Sequence, residues 1–159
     1  MPVKTAKHKH VLVVHGPNLN LLGSREPAHY GRLTLKDINQ KIRALAKTHG
    51  ITVSFFQSNH EGAIIDRIQQ TQVCDGILIN PAAYTHTSIA IRDALLAMNK
   101  PFVEVHLTDI LSREAFRHHS FFSDIALATV MGRGADSYVE GFVKLVQALK
   151  SQGHLSKIT

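Results

Sequence analysis

The chain has 159 residues, which at about 100–200 residues per domain makes one domain. With 44% hydrophobic and 19% charged residues it can build a sizeable core, which excludes a disordered or low-complexity chain. The formal charge of +6 suits either nucleic acid or a small anionic substrate. Lys4, Lys7, His8, Lys9 and His10 gather at the N-terminus, and no basic run is interleaved with aromatics, so no nucleic-acid partner is expected.

Short apolar runs alternate with amphipathic segments along the chain. The β-branched run Val11–Val14 reads as a buried strand stopped by Gly16-Pro17. Residues 34–49 read as a helix capped by Thr34, with Asp37 at the capping-box position, Ile38, Ile42, Leu45 and Ala46 on one face, and Gly50 at its end. A second strand is expected over 51–57, then a helix over 61–71 with Ile64, Ile65 and Ile68 inward. A third strand follows over 76–80 and is broken by Pro81. Residues 87–99 read as a helix, 101–107 as a fourth strand, 126–131 as a fifth, and 137–150 as a closing helix with Val139, Phe142, Val143 and Val146 on its apolar face. Strands of continuous rather than alternating apolar character, each followed by a helix, imply a parallel sheet covered on both faces. The expected fold is α/β and flavodoxin-like, a five-stranded, doubly wound, three-layer domain with residues 1–9 and 151–159 as tails.

In such sheets ligands bind beyond the carboxyl ends of the strands, where the strand order reverses. The loops after strands one and three and the end of strand four therefore hold the candidate site. Loop one runs from His15 through Asn18, Arg25 and Tyr30 to Gly31, and loop three carries Asn80 and His86. Strand four carries Glu104 and His106 near its end, followed by Arg113 and Arg117. Residues two apart on a strand share a face. A Glu and a His among buried apolar residues are costly unless they face partners or a cavity, so this pair reads as functional. Gly23 and Gly31 bracket Arg25 and Tyr30, the composition of a mobile lid.

Other chemistries find less support. The lone Cys74 excludes an intrachain disulfide and a four-thiolate site, and His8/His10 and His118/His119 match no zinc spacing, so no metal is expected. Gly132-Arg-Gly134 lacks the rest of a dinucleotide loop, and no serine lies in a G-x-S-x-G elbow. No apolar run approaches the ~20 residues of a membrane span and no secretory signal is evident, so a cytoplasmic location is expected.

The segments HGPNLNLLGSREPAHYG, QSNHEG, NPAAYTHTSIAIRDAL and EVHLTDILSREAFRHHS, in that order and spacing, closely resemble the type II 3-dehydroquinate dehydratases of the shikimate pathway. The resemblance covers about residues 11–149. It implies a cofactor-free enzyme that reversibly dehydrates 3-dehydroquinate to 3-dehydroshikimate by anti elimination through an enolate, without a covalent imine. It further implies Tyr30 as the base, Arg25 as its activator, His106 as the acid and Glu104 as the group orienting His106. Asn18 would hold a water at the enolate oxygen. Asn80, His86, Arg117 and the Leu107 and Thr108 amides would bind substrate, and Asp93 would reach the site of a neighbouring subunit in a dodecamer built from trimers. This sequence has His15 where the family carries Asn, Gln or His, Ala82 where glycine is frequent, and no glycine directly before Tyr138.

The chemistry asks for these residue types. A phenol ordinarily titrates near 10, so a tyrosine base needs about 3–4 kcal/mol of differential stabilisation to act two or three units lower. One guanidinium about 4 Å away supplies roughly that at an effective dielectric of 20. Arg25 lies in the same loop, and Arg113 is a second candidate. An imidazole gives and recovers a proton near neutrality. Two other readings remain open on the residues alone. A flavodoxin-like module holding a nucleotide or phosphate at loop one needs no acid or base, and a lysine imine would need a lysine that none of the four motifs contains.

Overall fold

Aliphatic and β-branched runs at 11–14, 76–80 and 102–105 leave no face for water, and each becomes a buried strand. The computed structural model describes residues 7–24, 26–30 and 32–155, except for the side chains of residues 29, 30 and 153–155. Its strands are β1 (His10–His15), β2 (Thr52–Gln57), β3 (Gly76–Asn80), β4 (Phe102–Val105) and β5 (Ala128–Val130). All pair in parallel, in the order β2-β1-β3-β4-β5. That is the flavodoxin-like order, with its reversal between β1 and β3.

The helices are α1 (Pro27–Tyr30), α2 (Leu35–Thr48), α3 (Glu61–Gln69), α4 (Ile89–Met98) and α5 (Asp136–Leu155). On one face of the sheet Val11, Val13, Leu78, Val103 and Val105 pack with Ile38 and Ile42 of α2 and Phe142 and Val146 of α5. On the other, Leu12, Val14, Ile77 and Ile79 pack with Ile64 and Ile68 of α3 and Ile91 and Leu95 of α4. Each such side chain contributes about 1.5–3 kcal/mol by leaving water, so burial on both faces holds the layers together.

Helix starts follow local chemistry. Thr34 caps α2 in a reciprocal capping box with Asp37, and the Ser88 hydroxyl accepts the Ile91 N–H at the start of α4. Some expectations need adjusting. Loop one contains a 3-10 turn (Leu19–Leu21) and the short α1, and a 3-10 turn (Ala82–His86) precedes α4. The β4 ladder stops at Val105. In α5 the buried face is Tyr138, Phe142, Leu145, Val146 and Leu149, with Val139 and Val143 half-buried, because Gly141 lies against Val105 and turns that side of the helix to the sheet. The helix also continues past Lys150 to Leu155, and the Ser151 hydroxyl donates to the Gln147 carbonyl.

The reversal puts the ends of β1 and β3 side by side. His15 pairs with Asn80, and the Gly16 N–H donates to the Asn80 carbonyl at 2.8 Å. A Cβ on Gly16 would lie 2.4 Å from the Pro81 carbonyl oxygen, so glycine is needed where the two loops touch. Gly16→Ala is expected to cost about 1–3 kcal/mol of stability, as overpacking does, and to raise KM by moving loops one and three apart. Urea unfolding and steady-state kinetics check both effects.

Candidate active site

Glu104 points from the middle of β4 into the protein and is fully buried. Its Oε1 lies 2.6 Å from His106 Nε2. The same carboxylate accepts hydrogen bonds from Ser120 Oγ at 2.7 Å, Ser123 Oγ at 3.0 Å and Thr129 Oγ1 at 3.1 Å. Burial works to raise its pKa, but the bond and charge of His106, with the two serines, outweigh that and hold Glu104 below the usual glutamate value. An ionised Glu104 can only accept, so His106 Nε2 carries a proton and Nδ1 is the nitrogen left for a ligand. The His106 N–H donates to the Val130 carbonyl at 2.9 Å, fixing the backbone beneath the ring.

Loop one enters from the opposite side. Asn18 has φ +67, a left-handed conformation that asparagine tolerates, and its N–H donates to Asn59 Oδ1 at 2.9 Å. The Gln57 amide donates to Gly16 O and to Asn59 Oδ1, each at 3.2 Å, and the Tyr84 hydroxyl donates to Asn59 O at 2.7 Å. The QSNHEG segment thus braces the turn that presents Asn18. Loop three contributes Asn80, whose Oδ1 accepts the Ala82 N–H at 3.0 Å. Ala82 adopts φ +51, so an alanine is held where glycine would carry no Cβ strain.

His86 is held by its Nδ1–H, which donates to the His119 carbonyl at 2.7 Å. Burial lowers its pKa against the pull of that carbonyl, which favours a neutral ring with Nε2 as an acceptor. These elements enclose a cleft of about 210 Å³ lined by Asn18, Asn80, His86, His106, Leu107, Thr108, Arg113 and Arg117. Among the described residues, no protein acceptor takes the Leu107 or Thr108 N–H. Arg117 Nε donates to Glu114 Oε2 at 3.0 Å, leaving its outer nitrogens to face a ligand. Asp93 lies elsewhere, exposed on α4 beside Ile89 and Leu96. Arg25 and the side chain of Tyr30 lie outside the described residues.

The model of the family described as Dehydroquinase class II matches residues 9–146. The chain belongs to the class II dehydroquinase family. The 3-dehydroquinate dehydratases of Francisella tularensis subsp. novicida strain U112 and subsp. tularensis strain SCHU S4 are 53% identical to it over 143 residues, 90% of this chain and 98% of theirs. The type II dehydroquinase of Butyrivibrio crossotus superposes with a TM-score of 0.85 at 42% identity, and that of Propionibacterium acnes with 0.83 at 36%. Each alignment covers 88% of this chain and 99% of the other.

In this class II dehydroquinase three hydroxyls that hold Glu104, from Ser120, Ser123 and Thr129, were not marked by sequence reasoning. Isolated hydroxyl residues 16 to 25 positions away from Glu104 carry no local signal. His15, at the end of β1, is a buried histidine whose pKa falls to about 4, chiefly through burial and despite its bond to Asn39. An unfolded histidine protonates near 6.5, so between pH 6.5 and 4 the unfolded chain binds a proton that the folded chain refuses. This dehydroquinase should therefore lose up to about 3 kcal/mol of stability over that window as the pH falls, with nothing lost from this group above it. Urea unfolding at pH 7 and pH 4 should show His15→Gln losing less than the parent by about that amount. Equal losses would mean that His15 does not titrate as described.

Proposed function

We propose that the chain reversibly dehydrates 3-dehydroquinate to 3-dehydroshikimate by anti elimination through an enolate, with Tyr30 as base and His106 as acid. The observation that carries this reading is the buried Glu104–His106 pair at the inner wall of the cleft, with His106 Nδ1 unengaged. It is what a reaction that expels a hydroxyl from a ring would use.

The base removes a proton from the carbon beside the ketone, and the bonding electrons move into an enolate. As the enolate collapses, the C–O bond to the neighbouring carbon breaks, and the departing oxygen takes the Nδ1 proton of His106 and leaves as water. Glu104 holds the imidazole in one orientation through its bond to the Nε2–H. Asn18 holds a water against the enolate oxygen. Arg25, with Arg113 as a second donor, holds Tyr30 as its anion; Arg113 lines the cleft, and an arginine keeps its charge throughout the working pH range.

The unpaired N–H groups of Leu107 and Thr108 suit the substrate carboxylate, and Asn80, His86 and Arg117 suit its hydroxyls. The ring is fixed between them, so only one proton faces the base. No step passes through a cofactor or an imine.

Asp93 is assigned to the site of a neighbouring copy. The exposed Ile89 and Leu96 beside it support an interface there, in a dodecamer of trimers in the cytoplasm. Among the described residues no helix is long and apolar enough to cross a membrane.

The test is the appearance of enone absorbance when purified protein meets 3-dehydroquinate. Absorbance growing in proportion to enzyme is expected. Its absence, together with thermal stabilisation by FMN or nucleotides but not by the dehydration product, would favour a binding module instead.

A further inference from the structure

Both oxygens of the Glu104 carboxylate are fully engaged. Oε1 takes the His106 Nε2–H and the Ser120 O–H, and Oε2 takes the Ser123 and Thr129 O–H groups. Together they fill the roughly four lone-pair sites that a carboxylate offers. The Ser120 O–H has one direction open to it. Its Oγ already accepts the Phe122 N–H at 3.0 Å and the Ser123 N–H at 3.2 Å, so its proton is left for Glu104. Thr129 stands directly beside Glu104 in the parallel register of β4 and β5, which sets its side chain on the same face as the carboxylate.

Both hydroxyls come from fixed ground. The Phe121 N–H, next to Ser120, donates to the Thr85 carbonyl at 3.0 Å in the turn after β3. Arg92 of α4 donates to the Phe121 carbonyl at 2.7 Å and pairs with Asp124. Thr129 is the middle residue of β5. Neither Ser120 nor Thr129 lines the cleft, so an effect of either on the chemistry passes through Glu104. A carboxylate held at one oxygen alone can pivot about its Cγ–Cδ bond and carry the bonded imidazole with it. Donors at both oxygens prevent that.

We infer that Ser120 and Thr129 are positioning residues, which fix the plane of the Glu104 carboxylate from its two sides and thereby the direction in which His106 Nδ1 faces the cleft. The inference rests on the proposed dehydratase reading, in which His106 is the acid. Ser123 has no such role, because it is exposed and water can replace its hydroxyl. Loss of either positioning hydroxyl should slow the acid step and leave ring binding intact.

The experiment compares Thr129→Val, Thr129→Ser, Ser120→Ala and Ser120→Thr with the parent, well below each melting midpoint. It measures kcat and KM for 3-dehydroquinate, the affinity for 3-dehydroshikimate by calorimetry, and Tm. At position 129 stability and chemistry pull apart. Valine keeps the shape and the strand preference but loses the donor, whereas serine keeps the donor and loses a methyl group. Tm should therefore favour valine and kcat should favour serine. Thr129→Val and Ser120→Ala should each lower kcat about tenfold, less than the roughly 10²-fold that a 1 Å misplacement can cost, with KM and product affinity within about threefold of the parent. Thr129→Ser and Ser120→Thr should each restore kcat to within about threefold. Ser120→Ala also frees two backbone N–H groups, and the Thr129 pair carries the test if that variant does not fold.

Parental kcat in Thr129→Val, an equal loss of kcat in Thr129→Val and Thr129→Ser, or a rise in KM that matches the fall in kcat would overturn the inference. The hydroxyls would then only satisfy a buried charge. A parent that neither turns over 3-dehydroquinate nor binds the product would instead overturn the dehydratase reading, and this inference with it.

Discussion

His106→Ala is expected to lower kcat by roughly 10²–10⁴, the usual worth of a positioned general acid, while KM changes little. The departing hydroxyl would then leave as hydroxide into a partly dry cleft, with no proton donor opposite Glu104. Removing the ring also leaves a buried carboxylate with only the Ser120, Ser123 and Thr129 hydroxyls to satisfy it, so Tm should fall as well. Glu104→Gln separates the two effects. It keeps the shape but removes the charge that holds the Nε2–H, and should lower kcat less than His106→Ala does. Steady-state enone formation, with circular dichroism to count folded protein, reads both. A His106→Ala enzyme with near-parental kcat would mean that the leaving group takes its proton elsewhere.

Tyr30→Phe is the second large effect. Without the phenol the first proton has no acceptor, and kcat should fall by roughly 10³, or about 4 kcal/mol of barrier. Affinity for 3-dehydroshikimate should stay within a few fold, because the groups proposed to hold the ring lie on β3 and in the segments that follow β3 and β4. Arg25→Ala should show the same pattern less severely if Arg113 shares the task. Near-normal turnover by Tyr30→Phe would remove Tyr30 from the chemistry, and the base would have to be sought among the other groups around the cleft.

Much of this arrangement is legible in the sequence, for identifiable reasons. Runs such as Val11–Val14 and Ile77–Ile79 are apolar at consecutive positions, and only a strand buried on both faces uses that pattern. Glu104 and His106 stand out because ionisable groups two apart at a buried strand end need each other or a cavity. They meet at 2.6 Å beside one. The Thr34–Asp37 capping box is written in four consecutive residues and forms as expected.

What the sequence does not display depends on distance along the chain or on packing. The three hydroxyls on Glu104 come from residues 120, 123 and 129, and nothing in their own neighbourhoods marks them. The Asn39–His15–Tyr138 chain joins three separate segments and exists only once α2 and α5 lie on the same face of the sheet. The buried face of α5 is set by the close approach of Gly141 to Val105, which periodicity alone places differently. Residues 151–155 stay helical without an apolar stripe to announce it.

The most direct measurement follows the fate of the transferred proton. 3-Dehydroquinate carrying deuterium at one or the other position of the methylene beside the ketone is given to the enzyme in the presence of borohydride, and the product is analysed by mass. The account predicts loss of the deuterium anti to the departing hydroxyl, retention of the other, and full activity despite the borohydride. Loss of the syn deuterium, or inactivation with a reduced ligand bound covalently to a lysine, would contradict it.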